Sequence, residues 1–116
     1  MRTKPELSIS NDARAGEGIA ALTVDSAAYG MRVTCTIGPH PGFSRLVIRY
    51  RIDGRTPSTP ADGLPLLDAQ AVADTTYRGY HDPRHQGRDC FYTAFGIDER
   101  GSIRTAVTTV GRPSCG

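Results

Sequence analysis

The sequence has no tryptophan, only one lysine and no long apolar segment, and these scarcities narrow what the chain can be. A membrane-spanning helix needs about 18 or more consecutive apolar residues, and no run in the chain approaches that length. Residues 1–10 also lack the apolar stretch of a secretory signal peptide. We therefore expect no membrane partner, and a cytoplasmic protein unless the chain is a module of a longer secreted one.

Net charge is low as well. The chain carries 14 basic and 12 acidic residues, 13 of the basic ones arginine, for a net charge of +2. The acidic residues are dispersed among the arginines, so the chain builds no strong positive field that would collect phosphate groups. Nucleic acid is therefore an unfavoured partner.

Large apolar residues are few, since isoleucine, valine, leucine and phenylalanine make up 22 of the 116 residues. So small a fraction indicates disorder only where the net charge is high, and here it is close to zero. The length suits a single domain, which typically has about 100–150 residues. We expect one folded domain with a modest core.

Short alternating segments divided by glycine and proline indicate an all-β fold. The chain has 13 glycines and 8 prolines, is rich in threonine, and shows no helical periodicity of useful length. We predict seven strands, at residues 19–25, 31–37, 45–52, 64–68, 72–80, 90–98 and 102–110. Strands of this number and spacing are typical of an antiparallel β-sandwich with Greek-key connections.

The composition changes near both ends of the chain. Residues 1–18 are rich in small and charged residues with little apolar periodicity, which predicts a flexible arm or linker. The sandwich then spans residues 19–110, and residues 111–116 form a tail.

Three segments carry a family pattern. Residues 46–51 are an apolar third strand, and residues 57–63 look like a loop of the P-x-S-P-x-D-G type. Residues 87–98 run from a glycine-containing corner through the aromatic-rich sixth strand to an aspartate before a glycine turn. In this order and spacing they resemble a bacterial fibronectin type III-like domain, over about residues 19–110. The resemblance implies an immunoglobulin-like β-sandwich that acts as an interaction or spacer module.

The sequence departs from that family at two core positions, and both hold cysteine. Cys35 stands where the second strand usually has tryptophan, and Cys90 stands where a tyrosine usually opens the sixth strand. Immunoglobulin-like sandwiches often join these two strands by a disulfide, so the resemblance implies a Cys35–Cys90 bridge. Two alternatives remain: both cysteines are buried thiols, or Cys90 pairs with Cys115.

Few residues lie close enough together in the sequence to suggest a catalytic or metal-binding site. His81 and His85 are four residues apart, but Pro83 between them favours a loop over the helix that would aim both at one metal ion. No Ser-His-Asp, Cys-His or paired-carboxylate arrangement has a recognisable local context. We expect neither an enzyme nor a bound metal or other cofactor.

Alternation along the third and sixth predicted strands assigns arginine and aromatic residues to the outer face of one sheet. The predicted binding face consists of Arg45, Arg49, Arg51, Phe91 and Phe95. Arginine and aromatic residues are enriched at protein interfaces, although arginine stems also commonly cover apolar strand residues. A second candidate is the group of loops at one end of the sandwich, residues 38–44, 68–71 and 98–102.

The expected partner is thus another protein or a neighbouring domain, within a larger bacterial protein or assembly. One alternative is a phage or virion component, or another assembly protein held by edge-strand pairing. A third is a carbohydrate-binding accessory domain. The absence of tryptophan weakens that interpretation, because sugar-binding platforms usually use exposed planar aromatic rings.

Overall fold

A computed structural model describes residues 14–16, 18–27, 30–81 and 89–111. These residues form eight β-strands: β1 (Arg14–Gly16), β2 (Ile19–Ala27), β3 (Gly30–Ile37), β4 (Arg45–Arg51), β5 (Leu64–Gln70), β6 (Thr76–His81), β7 (Cys90–Ile97) and β8 (Ile103–Gly111). The described residues contain no helix long and apolar enough to cross a membrane.

The strands form two antiparallel sheets. The first sheet has the order β1-β2-β3-β6, and the second has the order β5-β4-β7-β8. The chain passes between the sheets after β3, after β5 and after β6, so neither sheet is built from consecutive strands alone. The expectation of an all-β fold with two antiparallel sheets is confirmed.

Alternating side chains from both sheets fill one shared core. The fully or nearly buried members of this cluster are Ile19, Leu22, Val33, Cys35 and Ile37 from the first sheet, Leu46, Ile48, Tyr50, Cys90, Tyr92, Ala94 and Val107 from the second, and Phe43 from the loop before β4. Burying one large aliphatic or aromatic side chain stabilises a fold by about 1.5–3 kcal/mol. The period-two pattern therefore decides both the strands and the sheet face that packs inward.

Each predicted strand has a counterpart among β2–β8, with ends that differ by a few residues. The largest difference is at β6, which begins at Thr76 and not at residue 72. Asp74 has a positive φ of 59°, and its backbone N–H donates to the carbonyl of Gly38 at 3.1 Å. Residues 72–75 are therefore a turn tied to the end of β3.

Strand β1 lies within residues 1–18, the segment that the sequence predicts as a flexible arm. Its residue Gly16 lies against the second sheet, since a Cβ atom there would be 2.5 Å from Cγ2 of Val107. Gly18 has a φ of 82° and lies against the backbone of Pro41. This part of the predicted arm packs on the sandwich, whereas residues 1–13 and 17 lie outside the described residues. The predicted tail begins at Gly111, the last residue of β8, and its remaining residues also lie outside them.

Phe43 closes one end of the core. Its ring is buried and lies directly on Gly96 of β7, where an added Cβ atom would be 2.5 Å from Cδ2 of the ring. No residue larger than glycine fits at position 96 unless Phe43 moves.

We predict that Gly96→Ala lowers the free energy of unfolding by about 1–3 kcal/mol, because the added methyl group overlaps a ring held by its neighbours. Urea denaturation followed by circular dichroism measures this change. Gly38→Ala is the matched control, since Gly38 is also buried but its added methyl group would have no neighbour closer than 3.7 Å. Equal losses in the two variants, or no loss in Gly96→Ala, would contradict the packing.

Candidate functional site

The five residues of the predicted binding face lie on the same face of the second sheet. The register of β4 and β7 places Arg51 opposite Phe91, Arg49 opposite Thr93, and Arg45 opposite Ile97. The sequence thus predicts correctly which side chains share this face. What covers the face decides whether a partner can reach it.

The loop of residues 53–63 folds back over this outer face. Thr93 is buried, and its Oγ1 donates to the carbonyl of Pro57 at 2.9 Å. The Arg49 guanidinium donates to three consecutive loop carbonyls, those of Ala61 at 3.3 Å, Asp62 at 3.1 Å and Gly63 at 2.6 Å. Arg49 therefore binds the chain itself.

Arg51 binds two carboxylates of the same loop. It meets Asp53 through two hydrogen bonds of 3.0 and 2.5 Å, and Asp62 through a third of 2.5 Å. The second oxygen of Asp62 accepts the backbone N–H of Ser58 at 2.9 Å and its hydroxyl at 3.2 Å. The Arg51 hydrogen bond lowers the pKa of Asp53 to about 2, and the Ser58 backbone N–H lowers the pKa of Asp62.

The loop ends in an Asp-Gly pair because the backbone conformation at its last position requires glycine. Gly63 has a φ of 82°, which disfavours a side chain, and a Cβ atom there would be 2.6 Å from the carbonyl oxygen of Tyr50. Asp62 meanwhile holds both Arg51 and Ser58. The loop of residues 53–63 is therefore held against the outer face of β4 by these contacts. We call this loop and its contacts the clasp.

Phe91 is half-buried, whereas Arg45 and Phe95 are both engaged within the chain. Arg45 forms a two-point ion pair with Asp68 of β5, with N–O distances of 2.8 and 2.6 Å. Phe95 is only 2% exposed and belongs to a second buried cluster with Val47 and Ile97. The face is therefore not an open platform of arginine and aromatic groups, and the geometry agrees better with the alternative that arginine stems cover apolar strand residues.

The second candidate, the loops at one end, is brought together by backbone hydrogen bonds. Ser44 donates to the carbonyl of Ile97 at 3.0 Å, and Ala71 donates to the carbonyl of Ser44 at 2.9 Å. A cleft of about 290 Å³ opens between the β3–β4 loop and the β7–β8 turn. Its lining residues are Gly42, Phe43, Ser44, Asp98, Glu99 and Arg100. We call this region the loop-end cleft.

The β7–β8 turn at the rim of the loop-end cleft is held rigidly. One carboxylate oxygen of Asp98 accepts the backbone N–H groups of Arg100 and Ser102, both at 2.9 Å. Gly101 has a φ of 84°, and its N–H donates to the carbonyl of Asp98 at 3.0 Å. The exposed side chains of Glu99 and Arg100 thus project from a fixed backbone.

Phe43, which lines this cleft, lies in the predicted loop of residues 38–44, although it is not among the residues singled out from the sequence. The available signal is an apolar residue directly after the turn-forming segment at residues 38–42. Such a residue indicates an anchor for the loop, but its position beneath the cleft depends on β7, which is far away in sequence.

His81 is a core residue at the other end of the sandwich. It is 8% exposed, stacks on Tyr50 with ring centroids 4.3 Å apart, and hydrogen-bonds through Nε2 to the Tyr92 hydroxyl at 2.7 Å. Burial raises the pKa of Tyr92. His85 lies outside the described residues, and no group of three or more potential metal ligands occurs within the described part of the chain.

Cys35 and Cys90 are both buried thiols, and no disulfide joins them. Tyr92, near the start of β7, hydrogen-bonds to His81, and His81 is the strand partner of Met31 at the start of β3. The start of β7 therefore faces the start of β3 across the core. Cys35 lies four residues beyond Met31, roughly 13 Å along the strand, which is too far for the Cα separation of a disulfide. The implied Cys35–Cys90 bridge is therefore absent here, and Cys115 lies outside the described residues.

Comparisons with known proteins add no relative, since no family model, curated protein or solved structure matches the chain.

We predict that iodoacetamide at about pH 8 modifies neither Cys35 nor Cys90 in the folded chain, because thiols react as thiolates. Burial raises the pKa of Cys35 to about 12 and also raises the pKa of Cys90. In urea without a reductant, both should be alkylated. Peptide mapping by mass spectrometry distinguishes the outcomes, and a linked peptide that contains both residues would contradict the thiol assignment.

We predict that acid weakens the clasp formed by the loop of residues 53–63. A carboxylate whose pKa falls on folding stabilises the folded state above its unfolded pKa, and this contribution is lost as the pH falls through the folded pKa. For Asp53 that interval runs from about 4 to about 2. Thermal melts should show stability falling over this interval, with a smaller fall in Asp62→Asn. Asp74→Asn, outside the clasp, is the control, and an unchanged slope in Asp62→Asn would contradict the role of that carboxylate.

Proposed function

We propose that the chain is a non-catalytic, fibronectin type III-like module that binds another protein or a neighbouring domain through the loop-end cleft. In this proposal it is part of a larger bacterial protein or assembly. The observation that carries the proposal is the cleft between two loops whose backbones are held by hydrogen bonds.

The strand order supports the family part of the proposal. In immunoglobulin-like sandwiches the first, second and fifth strands share one sheet, while the third, sixth and seventh share the other. Counted from β2, this chain has the same division, with β2, β3 and β6 in the first sheet and β4, β7 and β8 in the second. Strand β5 extends the second sheet beside β4.

The rigidity of the loop-end cleft supports the binding part. Ordering a mobile loop on binding reduces affinity, and a loop that is already fixed avoids that loss. The Asp98 carboxylate fixes the turn, while the Ser44 N–H and the buried ring of Phe43 fix the facing loop. A scaffold of two packed sheets that presents such loops is a common arrangement for binding.

The assembly-component alternative has one observation in its favour. Strand β8 is nine residues long and lies at the edge of the second sheet, where a neighbouring chain could extend the sheet. Size-exclusion chromatography with light scattering separates the two proposals. A monomer supports the module, and a homo-oligomer of defined size supports the assembly component.

We predict that p-benzoylphenylalanine in place of Glu99 forms a photo-crosslink to one partner of defined mass in the producing organism. The same group in place of Arg55, an exposed residue of the loop of residues 53–63, should form none. Adding Arg100→Glu should reduce the yield from position 99 at least tenfold, because reversing a charge at the rim opposes the original partner. No crosslink from position 99, or equal yields from positions 99 and 55, would contradict the proposal.

A further inference from the structure

The outer face of the first sheet presents an array of nine side chains in three rows. The register of β2, β3 and β6 aligns the rows as Asp25, Arg32 and Tyr80; Thr23, Thr34 and Arg78; and Ala21, Thr36 and Thr76. Every one of them is half-buried or exposed, and all but the alanine carry a polar group. The alternate residues of these strands point into the core.

Contacts within the rows order part of this array. Arg32 forms two hydrogen bonds to Asp25, at 3.1 and 2.5 Å, which join β3 to β2. In another row, Thr36 and Thr76 share a hydrogen bond of 3.1 Å between their hydroxyl groups. A ligand would meet these groups in positions that are already set.

Two residues of the outer strand offer unused binding groups. The Arg78 side chain is exposed and has no hydrogen-bond or ion-pair partner within the described residues. Tyr80, its neighbour on the same face of β6, is 58% exposed. Together they present a guanidinium and an aromatic ring to solvent at the edge of the array.

We propose that this array binds an extended acidic polysaccharide. Threonine hydroxyls both donate and accept hydrogen bonds, as sugar hydroxyls do, and guanidinium groups bind carboxylates strongly. Because Asp25 pairs with Arg32, the exposed Arg78 guanidinium is the group of the array that would bind a carboxylate of an anionic chain. The chain has no tryptophan on which a sugar ring could stack, and the exposed Tyr80 ring supplies that surface instead.

The shape and composition of the array favour this ligand over other classes. Small molecules bind in concave pockets, and the array is the outer surface of a sheet. Protein interfaces have apolar, charge-depleted centres, whereas the centre of this array is Thr34 with Thr23 and Arg78 beside it.

The test uses the full chain and oligogalacturonate as the probe, measured by isothermal titration calorimetry. A cello-oligosaccharide of equal length is the neutral comparison, and single-stranded DNA is the nucleic-acid comparison. We expect binding to oligogalacturonate alone. Arg78→Ala and Tyr80→Ala should each weaken it about tenfold or more, since each removes a charge-assisted hydrogen bond or a stacking surface.

Arg55→Ala is the matched control, because it removes the same charge from an exposed position outside the array. It should keep the affinity of the original chain, and thermal melts should show all three variants folded, since the substituted side chains are exposed. The proposal is overturned by an absence of oligogalacturonate binding, by equal weakening in Arg55→Ala, by unchanged affinity in Tyr80→Ala, or by tighter binding of the DNA. The proposed protein-binding role of the loop-end cleft is tested separately at positions 99 and 100.

Discussion

Hydrogen bonds from Arg49 and Arg51 hold the loop of residues 53–63 against the outer face of β4 and β7. These contacts decide whether a partner can reach that face. Five hydrogen bonds from these two guanidinium groups reach carbonyls or carboxylates of residues 53 and 62–63 at 3.1 Å or less. Individual exposed ion pairs contribute little to stability, but a network held by a shared carboxylate such as Asp62 fixes the loop in one geometry. The outer face of β4 and β7 is thereby occupied by the chain itself.

Closure of that face leaves two surfaces with different chemistry. The loop-end cleft is concave, carries both signs of charge on its rim and has the buried ring of Phe43 in its lining. The outer face of the first sheet is rich in hydroxyl groups and slightly positive. The array takes no part in the core, and the cleft shares Phe43 with it, so the two surfaces are separate and can be used independently.

Period-two alternation is sufficient to predict the strands and the inward faces. It assigns Leu46, Ile48 and Tyr50 to the core, where the structure places them. It does not reveal that a loop covers the opposite face, because the contact between Pro57 and Thr93 joins residues far apart in sequence. Face assignment is local, whereas accessibility depends on tertiary contacts.

Other differences between the sequence-based expectations and the structure also arise from contacts between residues far apart in sequence. The fibronectin-like pattern suggests Cys35 and Cys90 as a pair, but their distance depends on how β3 and β7 are aligned across the core, which no local motif encodes. The late start of β6 depends on the hydrogen bond from Asp74 to Gly38. The array on the first sheet could be foreseen only in part, since the alternation of β3 is clear while its register with β6 is not.

The most direct test of the central claim is a nuclear Overhauser measurement between Pro57 and Thr93 in solution. We predict a measurable contact between the side-chain protons of Thr93 and the Pro57 Hα, because the Thr93 hydroxyl oxygen lies 2.9 Å from the Pro57 carbonyl oxygen. We also predict that a soluble paramagnetic probe leaves the Thr93 methyl signal unbroadened. The absence of this contact together with strong broadening of Thr93 would show an open face, and would return Arg49, Arg51 and Phe91 to consideration as a binding surface.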